Sequence, residues 1–183
     1  GDGFTDLLVG AINAGTAYLV YGPTYGDLYL AMADAKLMDD HAGSSVSGAG
    51  DVNDDGINDV LVGVNYDDDG GPSAGAAYLM YGPVYGDVDL AAADAKLIGE
   101  ETLDYAGTSV SCAGDVNDDG FDDLLVGANG DDTSDSASGA AYLVYGPVYG
   151  NVDLSAADIK FVGIARNDDA GTLSAWYLFA AIG

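Results

Sequence analysis

What most limits the fold of this chain is that it repeats itself. Residues 42–64, AGSSVSGAGDVNDDGINDVLVGV, recur at 106–128 as AGTSVSCAGDVNDDGFDDLLVGA, an offset of 64. Residues 75–99 recur at 139–163 without a gap. A shorter copy runs through GDGFTDLLVGA (1–11) and GTAYLVYGPTYGDLYLAMADAKLM (15–38), with INA in place of a longer loop. Lys36, Lys96 and Lys160, three of the four basic residues, occupy the same place in each copy. Such a period marks units that bury their apolar surface against their neighbours.

Each unit reads as four short strands. SSVSGAGDV is small and polar, as suits a strand crowded near an axis. DVLVGV and DLLVGA are unbroken apolar runs, the pattern of strands covered on both faces. AAYLVYGP stops at Tyr-Gly-Pro, because proline cannot continue the ladder. AKLIGEETLDYAG is more polar and is expected at an outer, solvent-facing edge, with one helical turn in DLAAADAK before it. Four antiparallel strands per unit, repeated and separated by turn residues, predict an all-β chain of propeller blades.

The units divide the chain into a partial first blade (1–43), a second (44–107), a third (108–170) and an extra C-terminal strand (171–183). About three blades fall short of the roughly 4–8 that close a ring. The expectation is therefore a ring or filament completed by missing sequence or by other copies. In the second case 171–183, which includes Trp176 and Phe179, would lend an inner strand to the first blade of a neighbour.

Charge narrows the partners. The chain has 31 acidic against 4 basic residues, a net charge of -27, while 49% of it is apolar. That apolar content excludes a disordered acidic tail. The charge argues against nucleic acid and anionic membranes and favours divalent cations. Nearly all the acid is Asp in Gly- and Asn-rich stretches, which is loop chemistry. Cys112 is the sole cysteine, so no intrachain disulfide is expected. No basic leader opens the sequence, and no apolar run approaches the ~20 residues that span a bilayer, so no membrane insertion is expected.

The acid is concentrated in a nonapeptide that occurs twice. Side-chain oxygens fall at positions 1, 3, 5 and 9: Asp51, Asn53, Asp55 and Asp59, then Asp115, Asn117, Asp119 and Asp123. Gly56 and Gly120 permit a sharp turn, and the carbonyls of Ile57 and Phe121 complete the donor set. Five hard oxygens plus water suit Ca²⁺ better than Mg²⁺, which demands stricter octahedral geometry. An EF-hand is excluded, because Val62 and Val126 stand where a bidentate Glu is required and the flanks are strands. Asp2 and Asp6 match positions 5 and 9 of a third loop. The expectation is two complete Ca²⁺ sites and one half site. A solvated acidic turn without metal is the alternative, and crowding three carboxylates disfavours it.

Other residues read more plainly. His41 lacks partners for a catalytic or zinc site, and Cys112 lacks a base. Tyr18, Tyr78 and Tyr142, with Tyr21, Tyr81 and Tyr145, recur at two fixed positions and suit packing between units; a glycan-stacking face is the lesser reading. Asp67, Asp68, Asp131 and Asp132 read as solvated turns, or less well as a weaker ion site.

The motif D-x-N-x-D-G-x-x-D, preceded by AGSSVSGAGD and followed by LLVGA and GAAYLVYG, resembles the FG-GAP repeat of integrin α-subunit propellers, closest to the tandem repeats of secreted bacterial proteins. The likeness covers about residues 1–163. It departs at Ala42-Gly43 and Ala106-Gly107, where the family has Phe-Gly, and where Gly-Ala-Pro becomes Gly-Val-Asn or Gly-Ala-Asn. It implies a β-propeller with Ca²⁺ in hairpins between the first and second strands, in an extracellular or cell-surface setting. The function expected is non-enzymatic adhesion, recognition or extracellular structure, with further blades, other copies, or an extracellular protein or glycan as partners. A filament or ring subunit built by strand exchange is the first alternative, and the propeller portion of a secreted hydrolase the second.

Overall fold

Each repeat folds where its apolar pattern changes. The computed structural model describes residues 4–132 and 138–163. Strands β1 (Leu7–Ala11), β2 (Thr16–Val20) and β3 (Ala35–Met38) come from the first repeat. The second gives β4 (Ser45–Gly50), β5 (Asp59–Val64), β6 (Ala76–Met80), β7 (Gly86–Asp89) and β8 (Ala95–Ile98). The third gives β9 (Ala106–Gly114), β10 (Asp123–Ala128), β11 (Ala140–Val144), β12 (Gly150–Asp153) and β13 (Ile159–Val162). Among the described residues no helix is long and apolar enough to cross a membrane. The extra strand expected at 171–183 and the ligand expected at Asp2 lie outside the described residues.

Consecutive strands of a repeat pair antiparallel, as the pattern predicts: β4 with β5, β5 with β6, and β6 with β8. The outer strand is not the sheet edge, however. Residues 86–89 of the second repeat cross back and add to β3 in parallel, and residues 150–153 do the same to β8. The second sheet is thus ordered β12-β8-β6-β5-β4. This corrects the expectation of a solvent-facing outer strand, since Ala95, Lys96 and Leu97 are buried. The crossing segment GDVD is too short and polar to announce itself. Its partner comes from the preceding repeat, so no local signal marks the pairing.

The core lies between sheets. One cluster joins Leu19 and Leu37 of the first blade to Val60, Val62 and Val64 of the second. The other joins Leu61, Leu79 and Leu97 of the second to Leu124, Val126 and Tyr142 of the third. Alternate residues of β5 therefore face opposite neighbours, and all six are buried. An unbroken apolar run is what such a position requires, at about 2 kcal/mol per fully buried leucine.

Close approach near the axis explains the small residues. A Cβ on Gly63 would lie 2.1 Å from the Gly107 carbonyl oxygen. That same carbonyl accepts hydrogen bonds from the hydroxyls of Ser44 (3.1 Å) and Ser45 (2.8 Å), which ties the third repeat to the second.

Candidate functional site

The two nonapeptides connect β4 to β5 and β9 to β10, and backbone N–H groups organise both. Asp55 N donates to Asp51 Oδ1 at 3.0 Å and Asn53 Oδ1 at 3.1 Å. Gly56 N donates to Asp51 Oδ2 at 2.8 Å, and Ile57 N to Asp55 Oδ1 at 2.8 Å. The second loop repeats the set: Asp119 N donates to Asp115 Oδ1 and Asn117 Oδ1, Gly120 N to Asp115 Oδ2, and Phe121 N to Asp119 Oδ1. Two left-handed residues, one position apart, make the turn: Asp54 (φ 57°) with Gly56 (φ 84°), and Asp118 (φ 62°) with Gly120 (φ 96°). The sequence marks the glycines; the aspartates at position 4 join them because Asp tolerates that region.

Position 9 differs from the rest. Asp59 and Asp123 are 1% and 0% exposed. Asp59 Oδ2 accepts from Val52 N at 2.9 Å and Oδ1 from Gly82 N at 2.9 Å. Asp123 makes the matching bonds to Val116 N and Gly146 N. Asp6, its counterpart in the first repeat, accepts from Gly22 N at 3.0 Å. Burial pushes the Asp59 carboxyl above its ordinary value; the Gly82 and Val52 N–H groups oppose this, and the charges of Asp55 and Asp51 add to it. A neighbouring cation would reverse that push.

Among the described residues, no three carboxylate, imidazole or thiol side chains are drawn together as a metal-holding group. The donors are nonetheless of the right kind for a hard cation: carboxylate, amide and main-chain oxygens on one tight turn. A carboxylate oxygen that accepts one N–H retains capacity for a further partner. Asp51, Asn53 and Asp55 thus fit a calcium ion without losing their present bonds. Asp59 and Asp123, the most buried of the set, fit least readily.

Asp122, one residue before Asp123, joins the two loops. Its Oδ2 accepts from Asp51 N at 2.8 Å, and its own N–H donates to Asp51 O at 3.2 Å. The counterpart in the other repeat is Asn58, so no repeat comparison singles Asp122 out.

The acidic loops at the other end of β5 and β10 are neither solvated turns nor an ion site at Asp67 and Asp131, which corrects that expectation. Lys96 Nζ lies 2.7 Å from Asp67 Oδ2 and 2.6 Å from Asp69 Oδ2, and 4.8 Å above the Tyr78 ring. Tyr78 Oη donates to Asp67 Oδ2 at 2.7 Å. Burial would raise the Asp67 carboxyl, but the Lys96, Asp69 N–H and Tyr78 bonds outweigh it and hold its pKa below the ordinary value. Burial likewise opposes the Lys96 charge, and its two aspartates more than restore it, so its pKa lies above that of a free lysine. In the third repeat Lys160 sits 2.8 Å from Asp131 and also pairs with Glu100, while Tyr142 Oη donates to both acids at 2.9 Å. Asp68 only closes its own turn, accepting from Ser73 N, and Asp132 is exposed. The signal was present in the sequence as a recurring Lys and Tyr, but nothing local links them to an Asp some 30 residues away.

The remaining candidates are structural. Tyr21 Oη donates to Val84 O at 2.8 Å, and Tyr81 Oη donates to Val148 O, each reaching into the next repeat. His41 packs its ring at a tilt against Tyr66, with centroids 5.3 Å apart. Cys112 is half-buried, and its Sγ accepts from Gly114 N at 3.3 Å.

Comparison with known proteins agrees with this architecture. The FG-GAP repeat family profile matches residues 106–144. Integrin alpha-11 of Homo sapiens is 35% identical over 147 residues, which cover 71% of this chain and 12% of that protein. Integrin alpha pat-2 of Caenorhabditis briggsae is 38% identical over 88 residues, 47% of this chain and 7% of that protein. The chain thus spans a small fraction of the length of these relatives. Fold and repeats together define a set of β-propeller blades. More particularly, the chain carries FG-GAP repeats of the integrin α-like kind.

Proposed function

We propose that this chain is a calcium-braced adhesion or recognition module, non-enzymatic and working outside the cell. One observation carries the calcium part. Every described ion pair uses Lys36, Lys96 or Lys160, and none reaches a nonapeptide carboxylate. Each loop therefore carries Asp51, Asp55 and Asp59, or Asp115, Asp119 and Asp123, on one turn with no cationic side chain among the described residues to offset them. Calcium would supply that charge, held by these residues with Asn53 or Asn117 and the carbonyl of Ile57 or Phe121. The ion's role is to fix the hairpin, and with it the blade; no reaction passes through it. Likeness to integrin α chains supports adhesion and an extracellular setting, where calcium is abundant.

Calorimetric titration tests the reading. The chain is expected to bind about two calcium ions, and Asp55→Ala to remove one of them. Asp54→Ala should leave both, because the Asp54 side chain makes no bond within the loop. Equal losses from the two substitutions would sink the ligand register, and no calcium heat at all would sink the site.

A further inference from the structure

The two nonapeptides belong to different repeats, yet they meet in the fold. The meeting point is Asp122, position 8 of the second loop, and Asp51, position 1 of the first, 71 positions apart in the chain. Asp122 Oδ2 accepts from Asp51 N at 2.8 Å, and Asp122 N donates to Asp51 O at 3.2 Å. Both polar groups of the Asp51 main chain are therefore bonded to one residue of the third repeat. The Asp51 side chain meanwhile organises its own loop, accepting from Asp55 N and Gly56 N.

The surroundings are shaped for this contact. Gly50, just before Asp51, has a left-handed φ of 77°, and a Cβ there would collide with the Asp122 carboxylate. A Cβ on Gly146 would lie 2.7 Å from Asp122 O and 3.1 Å from Val52 O, so three backbone segments converge as closely as glycine permits. Val52 is fully buried, in the core that it shares with Leu124 and Val126 of the third repeat. The first loop is thus pinned to its neighbour at residues 51 and 52. Its other side-chain donors, Asn53 and Asp55, bond within the loop.

Asp122 is set in turn by its own loop. It lies between Phe121 and Asp123, two residues of the proposed donor set. Phe121 N donates to Asp119 Oδ1, and Asp123 accepts from Val116 N and Gly146 N. Whatever orders residues 119–123 therefore orders the Asp122 main chain, and the Asp122 main chain and carboxylate order Asp51. The path from one loop to the other is three residues long and made of hydrogen bonds.

We infer that Asp122 couples the two loops, so that calcium bound at Asp115, Asn117 and Asp119 strengthens calcium binding at Asp51, Asn53 and Asp55. The coupling rests on the calcium reading of these loops and adds to it a sign and a residue. Its source is preorganisation, because ordering either loop also orders the residue that the other depends on. It must be reciprocal, each site raising the affinity of the other by the same factor. Asp122 acts through Asp51 and is a positioning residue. Repulsion between two like ions would give the opposite sign, so the sign itself is diagnostic.

Calorimetric titration of calcium into the full chain and its variants tests this. Asp119→Ala isolates the first loop and Asp55→Ala the second. The product of the two association constants in the parent chain should exceed the product of these single-loop constants by about tenfold. With Asp122→Ala added to all three chains, the two products should agree. Asp122→Asn keeps an oxygen for the Asp51 N–H and should restore the excess, which general damage to the fold would not allow. In chelator, amide hydrogen exchange at Asp51 should be faster in Asp122→Ala than in the parent chain or in Asp122→Asn. Equal products in the parent chain would overturn the coupling and leave the calcium reading standing. So would a parent product smaller than the single-loop product, the result expected of repulsion. An excess that survives Asp122→Ala would remove Asp122 from the path, and no calcium heat in the parent chain would overturn both readings.

Discussion

Strand β5 has aspartates at both ends, and the protein handles them in opposite ways. At one end Asp67 and Asp69 share Lys96 under the Tyr78 ring, so buried negative charge is neutralised within the chain. At the other, Asp51 and Asp59 accept from backbone N–H groups, and Asp55 from a backbone N–H and the Asn53 amide, none of them cationic. N–H dipoles orient a carboxylate but leave its net charge in place. The first end is thus complete with the side chains it has. The second has its oxygens on one turn and no cationic side chain among the described residues, which is why the calcium proposal belongs there and not at Asp67.

That contrast can be broken experimentally, and the largest effect should come from the uncompensated end. Calcium at a thousand times its dissociation constant would stabilise the fold by about 4 kcal/mol per site. Excess chelator should therefore lower the melting temperature sharply. A melting curve indifferent to chelator would make the two ends equivalent.

The lysine end should respond next. Lys96→Met strands Asp67 in a buried site, and a urea titration is expected to show a loss of about 3–5 kcal/mol. Lys36, whose single partner Asp87 lies 3.3 Å away on a more open face, should lose about 1 kcal/mol or less on the same change. Similar losses at both positions would mean that burial does not set the strength of the pair.

Asp104 sharpens the comparison, because it is buried beside Lys160 yet shares that lysine with Asp131 and Glu100. Burial, reinforced by Asp131 and opposed by the Glu101 N–H and by Lys160, pushes its carboxyl from 3.8 up to about 6. Between those values the folded chain retains a proton that the unfolded chain has released. The associated stability is complete below pH 3.8 and is lost as pH rises through about 6. Asp104→Asn should erase up to about 3 kcal/mol of that decline, read as the difference between the two pH–stability curves. Parallel curves would refute it. The smallest effect is expected from Tyr78→Phe, which removes one hydrogen bond to Asp67 and should cost about 1 kcal/mol.

How much of this was legible depended on how far apart the interacting residues lie. DVLVGV told of a strand covered on both faces, and β5 is one, because position-by-position burial is written in the residues themselves. The nonapeptide told of an oxygen-lined turn, and the N–H bonds closed within each loop span no more than seven residues. The crossing strands β7 and β12 were missed because GDVD and GNVD carry no apolar alternation. Asp67 was misread as solvated because its partner Lys96 lies 29 positions away.

The sequence by itself settled the repeat, the all-β blades and the acidic turns, since each rests on periodicity or on contacts within a few residues. Only the tertiary structure decided which blade each crossing segment joins and which aspartates find a lysine. Those outcomes depend on where one repeat sits against the next, and the packing of whole sheets, not local preference, fixes that geometry.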